Sequence, residues 1–284
     1  MAGWHMPCSP AGVIRVEEPR GWMLVGHRDH ARFAGELARQ WGNAEFAPPE
    51  PFADILVAVA RHDDAWADRD AAPCLTREGR PSAFSHELVG TYSAFEEIDL
   101  ANYLAVRGRA TEAVAADNPY AAIIVSMHTV NLLTEQADLR GLSDQDRVLH
   151  RDFVAGQRRR QRELAARLAD DDGHAAAVQP HRLQQAFEFL QACDSLSLIA
   201  CVRLPRALPL RHQHPRRDGT LPPLLCTPLG GDTYRVSPYP FHAEPLQFKL
   251  PCRRIAGHQF NDLARFRAAY AAAPPEHLTV RVVR

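Results

Sequence analysis

The sequence predicts a mainly α-helical protein, with a helical core over about residues 26–204 and a small antiparallel β-sheet appended to it, formed by N- and C-terminal strands. Three observations predict this. Several long segments between residues 26 and 204 either repeat apolar residues at helical spacing or are apolar nearly all round. Runs rich in β-branched and aromatic residues cluster near the two ends. Past residue 204 the texture changes, and prolines crowd residues 205–251. The expected organisation is therefore a helical unit with N-terminal strands over 1–204, and a proline-rich linker with a C-terminal β appendage over 205–284, packed on the same core.

The elements follow in order. Residues 12–25, "GVIRVEEPRGWMLV", read as two short strands around a Pro-Arg-Gly turn. In "HRDHARFAGELARQWGN", Phe33, Leu37 and Trp41 keep an i, i+4, i+8 stripe, and Gly42 ends the helix. "PFADILVAVARH" is a second, almost wholly apolar helix. Residues 67–84 read as a long polar loop broken by Pro73, Gly79 and Pro81, of a length that is often functional. "NPYAAIIVSMHTVNLLTEQ" starts at an Asn-Pro boundary and is apolar nearly all round, so it is expected to be central. "DFVAGQRRRQRELAARLADDD" is a more exposed, arginine-studded helix. "PHRLQQAFEFLQACDSLSLIACVRL" is long and apolar-faced, with Pro180 suited to its first turn. The runs "TYRVSPY", "LQFKL" and "LTVRVVR" read as short strands, and "LGGD" at 229–232 as a turn.

Composition narrows the function classes. The 284 residues are 46% hydrophobic and 24% charged, ordinary globular material. A formal net charge of −1 gives no global electrostatic case for nucleic acid or an anionic membrane as partner. Lys249 is the only lysine, so positive charge is almost all arginine. The six cysteines include no C-x-x-C pair, and no apolar run approaches the roughly 18–20 residues of a membrane span. No basic-then-apolar leader is evident. The expectation is a cytoplasmic protein with reduced thiols and a small-molecule substrate.

"VAVARHDDAW" carries the main chemical question. A small-residue apolar helix ends on His62, Asp63 and Asp64, then Trp66. His30 opens the first helix, His86 follows the polar loop, His128 lies midway along the central helix, and Asp194 midway along the last. A buried lone imidazole or carboxylate is costly unless partnered, so several of them in apolar helices favour mutual use. Neutral imidazole and ionised carboxylate suit zinc, manganese or iron. Adjacent His and Asp point about 100° apart on an ideal helix, so a shared ligand requires the helix to end between them.

The order His30 … His62-Asp63 … His128 … Asp194 resembles that of the HD-domain superfamily, whose pattern is H … HD … D on a bundle of helices. More narrowly, "HRDHARFAGELARQWGN", "RHDDAW", "YAAIIVSMHTV" and "CDSLSL" together resemble an uncharacterised bacterial family known only as a domain of unknown function. The resemblance covers roughly residues 12–204. It implies an HD-type helical bundle with His30, His62, Asp63 and Asp194 as metal ligands, His86 and His128 as additional ones, and one or two divalent ions of manganese, iron or zinc. Asp63 would be able to bridge two ions. The implied activity is metal-dependent hydrolysis of a phosphate ester or nucleotide. The same ligand count is similar to that of myo-inositol oxygenase, which implies a di-iron oxygenase instead. A metal- or ligand-binding sensor without turnover is the third reading. The lysine that some HD phosphohydrolases carry soon after the HD pair is not present.

Plainer readings compete at each position. His128 suits a hydrogen-bonded core histidine, and His86 an N-cap region led by Ser85. Asp194 is placed to bond Ser195 or Ser197 locally. Asp63 and Asp64 are the candidates for direct catalytic roles, Asp64 by orienting a ligand histidine or a water. Trp66 and Arg80 are the candidates for contacting substrate. Arg158, Arg159, Arg160 and Arg162 read as a solvated helix face, and His212 and His214 as loop residues.

Overall fold

The computed structural model describes residues 13–83, 100–137 and 139–284. The expected N-terminal hairpin is present as β1 (Ile14–Glu18) and β2 (Gly21–Val25). Then come α1 (His27–Arg39) and α2 (Phe52–Arg61). A single tight turn at Asp64–Trp66 leads into the short α3 (Ala67–Ala71). The helical core continues through α4 (Leu100–Ala115), α5 (Pro119–Asn131), α6 (Asp144–Ala169) and α7 (Pro180–Cys201). The C-terminal part holds β3 (Leu208–Pro209), β4 (Leu225–Gly230), β5 (Thr233–Ser237), β6 (Leu246–Ala256), α8 (Leu263–Ala272) and β7 (Pro275–Val283).

The fold class departs from the sequence expectation. The described residues are 48% helical and 19% strand, with a seven-stranded, mixed, curled half-barrel sheet among them, and do not form a mainly-α bundle with a small appended sheet. Strand order is β1-β2-β6-β7-β5-β4-β3, antiparallel throughout except for the parallel β5–β7 pair. The sheet was underestimated because its prolines read as linker. They sit where a strand tolerates a missing N–H: Pro209 on the edge strand β3, Pro228 at a register shift in β4, and Pro251 where β6 pairs with β7 while β2 pairs only from Arg253 onward. Two further elements were not read from sequence, α4 and α8, because each spreads small and charged residues around its circumference. Part of the expected 67–84 loop is the helix α3, and within its described residues Leu75 and Pro81 are bridged.

β2 shows how the sheet joins two cores. Met23 and Val25 face the main core with Phe33 and Leu37 of α1, while Trp22 and Leu24 face the other way, clustered with Ile255 of β6 and Phe266 of α8. All five residues of β2 are buried, as expected for a strand covered on both faces. Phe33 meets Phe248 of β6 edge-on at 5.3 Å, which fixes α1 across the sheet. α1 and α2 approach very closely at Gly35, where an added Cβ would stand 2.7 Å from the Ala60 Cβ. α1 ends as expected before Gly42, whose φ of +128° few other residues tolerate. α5 begins at Asn118, whose side chain accepts a hydrogen bond from the Ala121 amide, with Pro119 in the first turn.

Among the described residues no helix is long and apolar enough to cross a membrane. Cys193, Cys201, Cys226 and Cys252 are free and buried. Cys74 is disulfide-bonded, which corrects the expectation of uniformly reduced thiols.

Candidate metal centre

α1, α2, α5 and α7 each deliver a polar side chain to one buried point. His30 sits on the inner face of α1, three, four and seven residues before Phe33, Ala34 and Leu37. His62 caps the C-terminus of α2 with helical backbone angles, and Asp63 leaves them, at φ −117° and ψ 17°. That exit resolves the geometric difficulty of the adjacent pair, since ending the helix between them turns both side chains inward. His128 lies on α5, nearly all of which is buried, and Asp194 lies midway along α7. All five are buried, none more than 7% exposed.

The donor atoms converge. His30 Nε2 is 3.1 Å from His62 Nε2, 3.5 Å from Asp63 Oδ2 and 3.5 Å from Asp194 Oδ1. His62 Nε2 is 3.5 Å from Asp194 Oδ1 and 3.8 Å from Asp63 Oδ2. Donors 2.0–2.2 Å from one ion stand about 3.4 Å apart in a tetrahedron and about 3.0 Å apart as octahedral neighbours. The five measured edges fall in or just above that range. Two groups of three have ligand atoms all within 4.8 Å of one another: His30, His62 and Asp194, and His62, Asp63 and His128.

Each imidazole is oriented through its far nitrogen. His62 Nδ1–H donates to the Val59 carbonyl at 2.8 Å. Ser197 Oγ gives its one proton to the His30 carbonyl at 2.8 Å, so its oxygen accepts from His30 Nδ1–H at 3.0 Å. His128 Nδ1–H donates to Gln191 Oε1, and the Gln191 amide donates in turn to Asn131 Oδ1 at 3.1 Å. With three Nδ1 atoms so committed, all three Nε2 atoms face inward, the arrangement that histidine ligands of metal sites share. Gln191, Asp194 and Ser197 are three residues apart along α7, so one face of one helix carries a ligand and two of the groups that orient ligands.

The electrostatics call for positive charge at this point. Burial opposes ionisation of Asp63, yet the Arg107 guanidinium and His62 hold its carboxyl well below the usual range. Burial would likewise raise Asp194, but its hydrogen bond to His62 holds it down at about 2. Burial pushes His62 down, and the Asp63 and Asp194 carboxylates override it to about 9. Burial lowers His30 and takes His128 down to about 4. The carboxylates thus draw a proton onto His62, at the place where a metal cation would serve both.

The sequence candidates fall into three groups. His30, His62, Asp63, His128 and Asp194 come together. Asp64, Trp66 and Arg80 do not join them directly. Asp64 is held in ion pairs with Arg61 at 3.0 Å and Arg28 at 3.3 Å. Trp66 is fully buried, stacked on His27 at 5.1 Å and packed beside Arg107. Arg80 lies exposed on a turn whose amide bonds Thr76 Oγ1. His86, with Ser85, lies outside the described residues. Ser197 does not serve Asp194, as the local reading had it, but grips His30. His212 and His214 are not a pair of ligands: one bonds Glu188 at 2.6 Å, the other donates to the Ala47 carbonyl at 2.8 Å.

Sequence reading missed Arg107, Tyr103 and Gln191. Arg107 is 5% exposed, and its Nη1 donates to Asp63 Oδ1 at 2.6 Å while its Nε donates to Tyr103 Oη at 3.2 Å. The four-residue spacing of Tyr103 and Arg107 in "YLAVR" was the available signal, placing both on one face of α4.

The family model described as "Protein of unknown function (DUF3891)" matches residues 13–257, and the chain belongs to that family. No curated protein and no solved structure matches the chain.

Proposed function

We propose that this member of the DUF3891 family is a metal-dependent hydrolase of an anionic substrate, a phosphate ester or nucleotide. The observation that carries the reading is the convergence of two imidazole Nε2 atoms, of His30 and His62, and two carboxylates, of Asp63 and Asp194, at distances of 3.1–3.8 Å, with His128 grouped beside His62 and Asp63. Their order along the chain is that of the HD-type ligand set, which motivates hydrolysis. A bound divalent ion supplies Lewis acidity, lowering the pKa of water towards neutrality and neutralising phosphate oxygens. The chain's own part is to hold the ion and bias the charge. Asp63 and Asp194 contribute two negative charges and Arg107 one positive, so a divalent ion leaves the centre with a net charge of about +1 and a preference for anions. His128, kept neutral by burial and fixed by Gln191, presents Nε2 as a hydrogen-bond acceptor beside the ion.

The test is turnover by protein loaded separately with manganese, zinc and iron, on p-nitrophenyl phosphate, bis(p-nitrophenyl) phosphate and a panel of nucleotides. Hydrolysis that is lost with chelator and in His62→Ala supports the proposal. Oxygen uptake by the iron form without ester hydrolysis would replace hydrolysis by oxygenation. Tight metal binding with neither activity would replace it by sensing.

A further inference from the structure

We propose that Arg107 stands in the place of a second metal ion and confines the centre to one. The inference rests on the metal reading above and decides a point that reading leaves open. A carboxylate bridges two ions by giving one oxygen to each. Asp63 Oδ2 faces His30 and His62, at 3.5 and 3.8 Å, but Asp63 Oδ1 already accepts a 2.6 Å hydrogen bond from Arg107 Nη1. A second ion on that oxygen would have to displace a guanidinium that cannot give up its proton.

Displacement is obstructed by everything around Arg107. It is 5% exposed, its Nε is tied to Tyr103 Oη, and its guanidinium lies 5.1 Å from the Trp66 ring centre and 5.4 Å from that of Tyr103. Aromatic faces stabilise a cation at such distances, and moving it would strand a buried charge. An independent observation agrees. The two candidate ligand triads share His62, and its Nδ1 is committed to the Val59 carbonyl. One free nitrogen serves one ion, so the triads describe the surroundings of a single cation and not two separate sites. His128 is then left to bond what that ion binds.

The experiment is manganese stoichiometry with electron paramagnetic resonance, on full-length protein stripped with chelator, reloaded with excess Mn2+ and desalted. The wild type is expected to keep one ion per chain, with the spectrum of an isolated Mn2+. Arg107→Gln, which keeps a neutral donor to Asp63, is expected to keep two, with exchange coupling between them. Two coupled ions in the wild type would overturn the inference while leaving the metal centre intact. One ion in a folded Arg107→Gln variant would overturn the role of Arg107. Should that variant fail to fold, the wild-type count and spectrum decide alone. No uptake by the wild type would remove the metal centre itself, an outcome distinct from a count of two.

Discussion

Asp63 and Asp194 would be ligands of the same ion, yet their loss should have unequal consequences for the protein stripped of metal. Asp63→Asn leaves the Arg107 guanidinium buried without its counter-charge, since Arg107 has no other carboxylate at salt-bridge distance among the described residues. Breaking a buried ion pair from one side costs about 3–5 kcal/mol. That is a large share of the roughly 5–15 kcal/mol that stabilises a typical domain. Asp194 differs because its charged partners are imidazoles, His62 and His30 at 3.5 Å. An imidazole can release its proton and an arginine cannot. Asp194→Asn therefore loosens the hold on the His62 proton, which the imidazole can release, and replaces a buried charge by a neutral amide of the same shape, a change of within about 1 kcal/mol of either sign. Urea unfolding of chelator-treated protein near neutral pH, followed by circular dichroism, measures both. The expected result is a lowered midpoint with unchanged slope for Asp63→Asn, and a near wild-type midpoint for Asp194→Asn. Both variants should fail to retain metal. Equal losses of stability, or a larger loss for Asp194→Asn, would refute the assignment of a permanent cation to Asp63 and a titratable one to Asp194.

Other outcomes follow from the same geometry. Gln191→Leu removes the acceptor that orients His128 and should lower turnover about 10- to 100-fold with little change in fold, while competition with a fluorescent chelator shows metal affinity near that of the wild type. Gly35→Ala drives a methyl into Ala60 and pushes apart the helices that carry His30 and His62; it should cost about 1–3 kcal/mol in urea unfolding and weaken metal binding in the same variant. His214 is buried and pushed down to about 4, from an ordinary value near 6.5 in the unfolded chain. Its contribution is present above pH 6.5 and lost as pH falls through 4, because the unfolded chain binds the proton first. Wild-type protein should accordingly lose about 3 kcal/mol more stability than His214→Gln between pH 7 and pH 4. Parallel acid profiles for the two proteins would exclude that role.

The sequence was most informative where one residue type had one good explanation. His30, His62, Asp63, His128 and Asp194 stand out because imidazoles and carboxylates in apolar helices need partners, and the structure gathers all five in two buried groups that share His62. The groups that orient them were less legible. Gln191 and Ser197 are ordinary polar residues until α5 and α1 are seen to cross α7 beside them. Arg107 was invisible because α4 carries Arg107 and Arg109 on different sides and glycine, alanine and glutamate among its apolar residues, so its buried face is poorly marked. The sheet was the larger loss. Its pairings are long-range, β2 joining β6 from the other end of the chain and β5 joining β7 across the intervening β6 and α8, and local pattern carries no information about them. The prolines of β3, β4 and β6 then made strand segments look like linker.

Metal content bears most directly on the central claim. Protein expressed in medium supplemented with manganese, iron and zinc, and purified without chelator or a nickel column, should carry one equivalent of a transition metal by elemental analysis. The ion should be absent from His62→Ala and retained in Asp64→Asn, since Asp64 pairs with Arg61 and Arg28 rather than with the centre. Wild-type protein without metal under every supplementation, or His62→Ala with its metal intact, would contradict the account.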